Sequence, residues 1–256
     1  MTPLLEVTAL SVRYGGVVAV DGVDLAVEAG RVVGLIGPNG AGKTSLIDAL
    51  SGYHAPSSGT IKFGGEDITR LRAHARARRG LARTFQSVEL FDDLSVEGNL
   101  LVASERVGIA SAVRDLFLPI RPSDRTDVDW ALRLCGLEEV ADDEPAGLPH
   151  GRRKLVGVAR ALASRPRLVL LDEPAAGLDT DETLILGDHL RELPGAGVTV
   201  LLVDHDMGLV LSVCDEVYVL DFGRVIAHGT PEEIRADETV VAAYLGSRHA
   251  GGQNAA

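Results

Sequence analysis

The chain has 256 residues, 46% hydrophobic and 24% charged, a globular composition that excludes an intrinsically disordered chain. Its net charge of −12 argues against nonspecific nucleic-acid binding, which calls for a basic face, so no nucleic-acid partner is expected. No apolar run approaches the ~20 residues that span a bilayer, and Met1-Thr2-Pro3-Leu4-Leu5-Glu6 lacks the charged-then-apolar layout of a secretion signal. A soluble, cytoplasmic chain is expected, one that reaches a membrane only by docking onto another chain.

Leu4 to Val12 and Val17 to Val27 alternate apolar and polar residues, which predicts two strands about a Gly15-Gly16 turn. Asp21-Gly22 is either a second turn or a bulge. Tyr14, just before the first turn, is either a half-buried strand aromatic or a platform for a purine ring. Val32-Val33-Gly34-Leu35-Ile36 reads as a buried strand. It leads into Gly37-Pro38-Asn39-Gly40-Ala41-Gly42-Lys43-Thr44, which meets the phosphate-loop pattern G-x-x-x-x-G-K-[ST] at every fixed position. The glycines let several backbone N–H groups converge on one concavity. A helix predicted over Thr44-Ser45-Leu46-Ile47-Asp48-Ala49-Leu50 adds its positive end. In such a loop the lysine, here Lys43, reaches the β- and γ-phosphates, and the Thr44 hydroxyl binds Mg²⁺.

Beyond it, Ser57-Ser58-Gly59 reads as a turn, and Thr60 to Phe63 pairs with Glu66 to Ile68 around Gly64-Gly65. Thr69 is placed to cap a basic helix over Leu71 to Arg79, whose Arg72, Arg76, Arg78 and Arg79 read as a solvated face. Leu81 to Phe85 is predicted as a strand ending at Gln86, followed by a loop from Ser87 to Leu94 and a helix capped by Ser95 over Val96 to Ala103. The apolar cluster Leu116-Phe117-Leu118-Pro119-Ile120 is either a contact surface or the packing of a helical subdomain. Helices follow over Val128 to Cys135 and Arg152 to Ser164. Cys135 and Cys214 fit no metal spacing and read as small core residues.

Leu168 to Leu171 and Val198 to Val203 are apolar strands. They end at Asp172-Glu173-Pro174 and at Asp204-His205-Asp206. Helices are predicted over Thr180 to Leu193 and Met207 to Val213. A last strand pair lies about Phe222-Gly223, a helix starts at Thr230-Pro231-Glu232-Glu233, and Ser247 to Ala256 should fray. Strands alternating with helices imply an α/β fold with a mostly parallel sheet and its chemistry at the carboxyl edge. That edge would gather the phosphate loop, Asp172-Glu173 and His205. Asp172 suits the carboxylate that helps hold Mg²⁺, Glu173 can orient a water for attack on the γ-phosphate, and His205 can hydrogen-bond that phosphate.

With these motifs in this order, together with Gln86 in Thr84-Phe85-Gln86 and with Gly177-Leu178-Asp179, the chain resembles an ATP-binding subunit of an ABC transporter over roughly Leu4 to Gly246. Ala82-Arg83-Thr84-Phe85-Gln86, Leu90-Phe91, Asn99 to Ala103 and Tyr244-Leu245-Gly246 are similar to the ATPases of branched-chain amino acid importers. The resemblance implies one cassette over residues 1–246, a phosphate-loop core with a small antiparallel β subdomain and a helical subdomain inserted at about 87–165, then a flexible tail over 247–256. It implies that Tyr14 stacks on adenine, that Gly37 to Ser45 bind ATP, that Gln86 senses Mg²⁺ and the attacking water, and that Asp179 lies at a dimer seam. A second ATPase subunit, of the same or a different chain, would complete the sites. Integral membrane permeases would be the direct partners, an extracytoplasmic solute-binding protein an indirect one, and the cytoplasmic membrane face the location.

The family's signature loop LSGGQ appears here as Leu148-Pro149-His150-Gly151-Arg152. Pro149 replaces a serine whose hydroxyl would meet the partner's γ-phosphate, and proline offers neither hydroxyl nor N–H. Gly151 still permits close backbone approach, and Arg152 adds positive charge. The expected function is ATP hydrolysis powering uptake of branched-chain amino acids or related small solutes. Rival readings are urea or amide uptake, lipid or polysaccharide export, and a weakly hydrolytic partner in a heterodimer.

Overall fold

The computed structural model describes residues 2–85, 89–104 and 125–250, with side chains through residue 244. Three strands that the sequence makes almost wholly apolar form its centre: β3 (Val32–Ile36), β7 (Leu168–Asp172) and β8 (Thr199–Val203), buried at every residue. Strands covered on both faces read as continuous apolar runs, and parallel pairing is their usual setting. β3 pairs in parallel with β8 and with β9 (Glu216–Asp221), and β7 with β8 and with β6 (Leu81–Arg83). The hairpin partner β10 (Arg224–Gly229) closes one edge, giving the order β10-β9-β3-β8-β7-β6.

A second, antiparallel sheet has the order β2-β1-β4-β5, formed by β1 (Leu5–Tyr14), β2 (Val17–Val27), β4 (Ser58–Phe63) and β5 (Glu66–Asp67). Its register shifts between Leu10 and Val12 of β1, opposite Val23 and Val20 of β2. Asp21-Gly22 is therefore a bulge within one strand, not a turn.

The two faces of the parallel sheet feed two cores. Val33, Leu35, Leu170 and Leu201 point toward α1 (Lys43–Ser51) and the antiparallel sheet. Ile36, Leu171, Val200 and Leu202 point toward the other helices. These include α3 (Val96–Ser104), α4 (Thr126–Leu134), α5 (His150–Leu162), α6 (Thr180–Glu192) and α7 (Met207–Val213). Side chains alternating across each strand produce this division. α1 buries Leu46, Ile47, Ala49 and Leu50 completely, about 1.5–3 kcal/mol for each large one.

Several boundaries differ from expectation. The basic helix is short, α2 (Ala73–Ala77), and begins after Arg72. Thr69 does not cap it; its Oγ1 accepts from Ile61 N at 2.8 Å. Arg76 is not on a solvated face. It is 1% exposed and donates to the carbonyls of Ala49 and Leu50 at 2.7 Å each, closing the C-terminal end of α1. Burial lowers its pKa to about 10. β6 stops at Arg83 and not at Phe85, Ser58-Gly59 belong to β4 and not to a turn, and α5 starts at His150, two residues before Arg152. The Thr230-Pro231 start opens α8 (Pro231–Ala236) with a capping box. α9 (Glu238–Ala250) continues past Ser247. Gln86 and the Leu116 to Ile120 cluster lie outside the described residues. Among those described, no helix is long and apolar enough to cross a membrane.

Candidate nucleotide site

The phosphate loop joins β3 to α1 at the carboxyl edge of the parallel sheet. Gly37 (φ 154) and Gly42 (φ 104) take backbone conformations that other residues resist. A Cβ on Gly37 would stand 2.0 Å from the Leu220 carbonyl oxygen, and one on Gly42 2.2 Å from that of Ala19. Only glycine fits either place. Around the loop is an open cleft of about 450 Å³ lined by Asn39 to Ser45, Val17 to Ala19, Glu173 and the Phe222-Gly223 turn.

Lys43 is buried in this loop. Its Nζ donates to the carbonyls of Gly37 at 2.7 Å and Pro38 at 3.0 Å. Burial lowers its pKa, and the negative charges of Glu173, Asp172 and Asp204 oppose that shift. An ammonium group so placed gains from an incoming phosphate.

Two more strand ends complete the edge, as expected. Asp172 closes β7 with a side chain 9% exposed. Glu173, next to it, has φ 48, a left-handed backbone that costs a non-glycine residue about 1–3 kcal/mol and recurs at functional sites. Its N–H donates to the Val203 carbonyl at 2.7 Å, tying it to the end of β8. His205 follows β8 with an exposed ring whose Nδ1 lies 3.9 Å from Glu173 Oε2 and 3.6 Å from Asp204 Oδ1. Thr44 and Asp172 supply hard oxygen donors, the kind Mg²⁺ takes alongside nucleotide phosphates. The residues present fit a magnesium nucleotide.

Tyr14 sits elsewhere on the same hairpin. It is exposed, and its ring meets His54 with centroids 4.5 Å apart. It is not among the residues lining the phosphate-loop cleft; Val17 to Ala19, further along the turn, are.

The signature segment starts α5. Pro149 is its N-cap residue, and Pro149, His150 and Arg152 are exposed. Gly151 N donates to Glu182 Oε1 at 2.9 Å, so a carboxylate from another helix satisfies this N-terminus. His150 lies over Gly177, where an added Cβ would stand 3.2 Å from Nε2. Asp179 caps α6, its side chain accepting from Glu182 N.

Four residues to which the sequence assigned no role bear on the site. Asp204, wholly buried, accepts from Ala175 N, His205 N and Asp206 N at 2.8–3.0 Å, joining the segment before Asp179 to the one bearing His205. Lys154 on α5 is buried, and burial lowers its pKa against the charges of Asp204 and Glu173. Tyr244 of α9 sets its hydroxyl against the backbone of Gly37, and burial pushes that hydroxyl up to about 12. Arg83 contacts Asp172 directly. The Asp204-His205-Asp206 triplet and Tyr244-Leu245-Gly246 are visible in the sequence, but nothing local says what they touch.

A phosphate loop, a strand-end Asp-Glu pair and a strand-end histidine on one parallel sheet, beside an antiparallel sheet, define the ATP-binding cassette of an ABC transporter. The chain belongs to that family. Residues 20–176 match the ABC transporter family, and residues 224–250 match the branched-chain amino acid ATP-binding cassette transporter family. It is 43% identical to the high-affinity branched-chain amino acid transport ATP-binding protein BraF of Pseudomonas aeruginosa, over 95% of this chain and 98% of that one. It is 40% identical to the corresponding LivG of Escherichia coli at the same coverage, and 37% identical to the E. coli lipopolysaccharide export ATP-binding protein LptB over 93% of this chain and 95% of that one. Among solved structures, the ADP conformation of an ATP-binding cassette of an ABC transporter superimposes with a TM-score of 0.85 and 29% identity, covering 96% of this chain and all of that one.

Proposed function

We propose that this chain powers uptake of branched-chain amino acids by hydrolysing ATP at the cytoplasmic face of permease subunits. Sequence similarity to the importer ATPases along nearly the whole chain supports the solute class. The observation that carries the chemistry is Glu173 lining the same cleft as Gly40 to Ser45.

In this reading Gly37 to Ser45 wrap the phosphates, and Lys43 exchanges its carbonyl partners for phosphate oxygens. Thr44 and Asp172 hold Mg²⁺, which neutralises the phosphate charge. Glu173 aligns a water and takes its proton as the oxygen bonds to the γ-phosphorus and the bond to the β-phosphate oxygen breaks, releasing ADP and phosphate. His205, beside Glu173, donates to the γ-phosphate. Tyr14 stacks on adenine, and Gln86 senses metal and water. Two cassettes close on two ATP molecules, with Pro149 to Arg152 and Asp179 at the seam, and the closure drives the permeases. Residues 1–246 form the single cassette that does this, with the helices between 87 and 165 as its helical subdomain.

Uptake of labelled leucine, isoleucine and valine tests this in cells lacking the chain. Uptake should vanish, return with the parent gene and not with Lys43→Ala. Unchanged uptake of all three, with urea or amide uptake lost, would overturn the solute assignment.

A further inference from the structure

Arg83, the last residue of β6, has a side chain 7% exposed between two sites that the sequence keeps far apart. Its Nη2 lies 3.0 Å from Asp172 Oδ2. Its Nη1 lies 2.6 Å from Asp48 Oδ1 and 3.0 Å from Ser51 Oγ, both on α1. The parallel register of β6 and β7 pairs Arg83 with Leu170, two residues before Asp172. Thr84, next along, accepts from Asp172 N at 3.3 Å. The rings of Tyr53 and Phe85 flank the guanidinium, with centroids 5.6 and 5.1 Å away. Its Nε is buried with no acceptor among the described residues. The guanidinium is therefore held where its two outer nitrogens reach two carboxylates, at the expense of the third.

We propose that Arg83 is a positioning residue for the metal, resting on the nucleotide reading of the site. α1 carries Thr44 and β7 ends in Asp172, both assigned to Mg²⁺. Arg83 braces both elements with one rigid fork, which fixes their separation. It also engages Asp172 Oδ2, which stops the carboxylate from turning. Two acids share the single cation, so the trio keeps a net negative charge toward Mg²⁺. A planar, five-donor group performs this bracing, and an ammonium group cannot reach both carboxylates in the same way. Carboxylate ligands held by such outer partners typically lose about 10–100-fold in metal affinity when the partner is removed.

The test uses the full chain, with ADP and Mn²⁺ as a spectroscopic stand-in for Mg²⁺. Mn²⁺ affinity of the ADP complex is read by electron paramagnetic resonance, ADP affinity in EDTA by calorimetry, and folding by thermal melting. Arg83→Gln should bind Mn²⁺ about 10–100-fold more weakly while its metal-free ADP affinity stays within about twofold of the parent. Arg83→Lys should fall between the two. Mn²⁺ affinity within twofold of the parent in folded Arg83→Gln would overturn the assignment. A parent whose ADP complex takes up no Mn²⁺ would instead remove the magnesium-nucleotide reading beneath it.

Discussion

The carboxylate of Glu182 joins the signature segment to the segment bearing Asp179: Oε1 accepts from Gly151 N at 2.9 Å and Oε2 from Asp179 N at 3.2 Å. One side chain thus completes a capping box on its own helix and serves as a borrowed cap on another. The two segments assigned to the dimer seam are linked within a single chain.

Removing that link should loosen both helix starts without touching the phosphate loop. Glu182→Ala should lower stability by about 1 kcal/mol, the usual cost of a lost cap, and reduce ATP turnover severalfold with ADP affinity unchanged. Glu182→Gln, which keeps an acceptor, should recover most of both. Chemical denaturation and steady-state kinetics measure the two effects. Parent-like turnover in the alanine variant would refute the coupling.

The substituted signature makes its own prediction. Without a hydroxyl at Pro149, the ATP site completed by this loop should turn over slowly. Pro149→Ser combined with His150→Gly should raise the turnover of the assembled complex. An unchanged rate would show that this loop does not limit hydrolysis.

Arg76 should matter for folding and not for catalysis. Its guanidinium closes α1 through the Ala49 and Leu50 carbonyls and also reaches Leu71 and Thr69. Arg76→Ala strips these acceptors, two of them buried, of their donors, which should cost roughly 3 kcal/mol and lower Tm by about 6–12 °C in a chain of this size. A melt within about 2 °C of the parent would contradict this clamp.

Burial pushes the thiols of Cys135 and Cys214 from 9.0 up to about 12. Neither should react with a thiol reagent at pH 8 until the protein unfolds, because almost no thiolate forms. Both pKa values are raised in the folded state, so the stability gained by keeping the thiols neutral is complete below pH 9.0 and drains away as pH climbs toward 12. Stability should decline through that alkaline window, and Cys135→Ser with Cys214→Ser should flatten the decline.

What the sequence made legible was local or periodic. The phosphate loop, the apolar strands ending at Asp172 and Val203, and the Thr230-Pro231 helix start each carry their signal within about ten residues. The sheet edge that gathers Lys43, Glu173 and His205 followed from the alternation of strands and helices. The contacts missed are those made across long separations. Arg76 looked solvated because its acceptors on α1 are 26 and 27 residues away. Arg83 meets Asp172 across 89 residues through the pairing of β6 with β7. Glu182 reaches Gly151 from another helix, 31 residues on. Charge and periodicity carry no record of such partners.

In the proposed mechanism Glu173 activates the attacking water. The most direct measurement compares ATP binding and steady-state hydrolysis in the parent and Glu173→Gln, with gel filtration in Mg-ATP. The variant should bind ATP like the parent, lose at least about 100-fold in turnover, and accumulate as a closed dimer if the chain pairs with itself. Parent-like hydrolysis by Glu173→Gln would rule out that role.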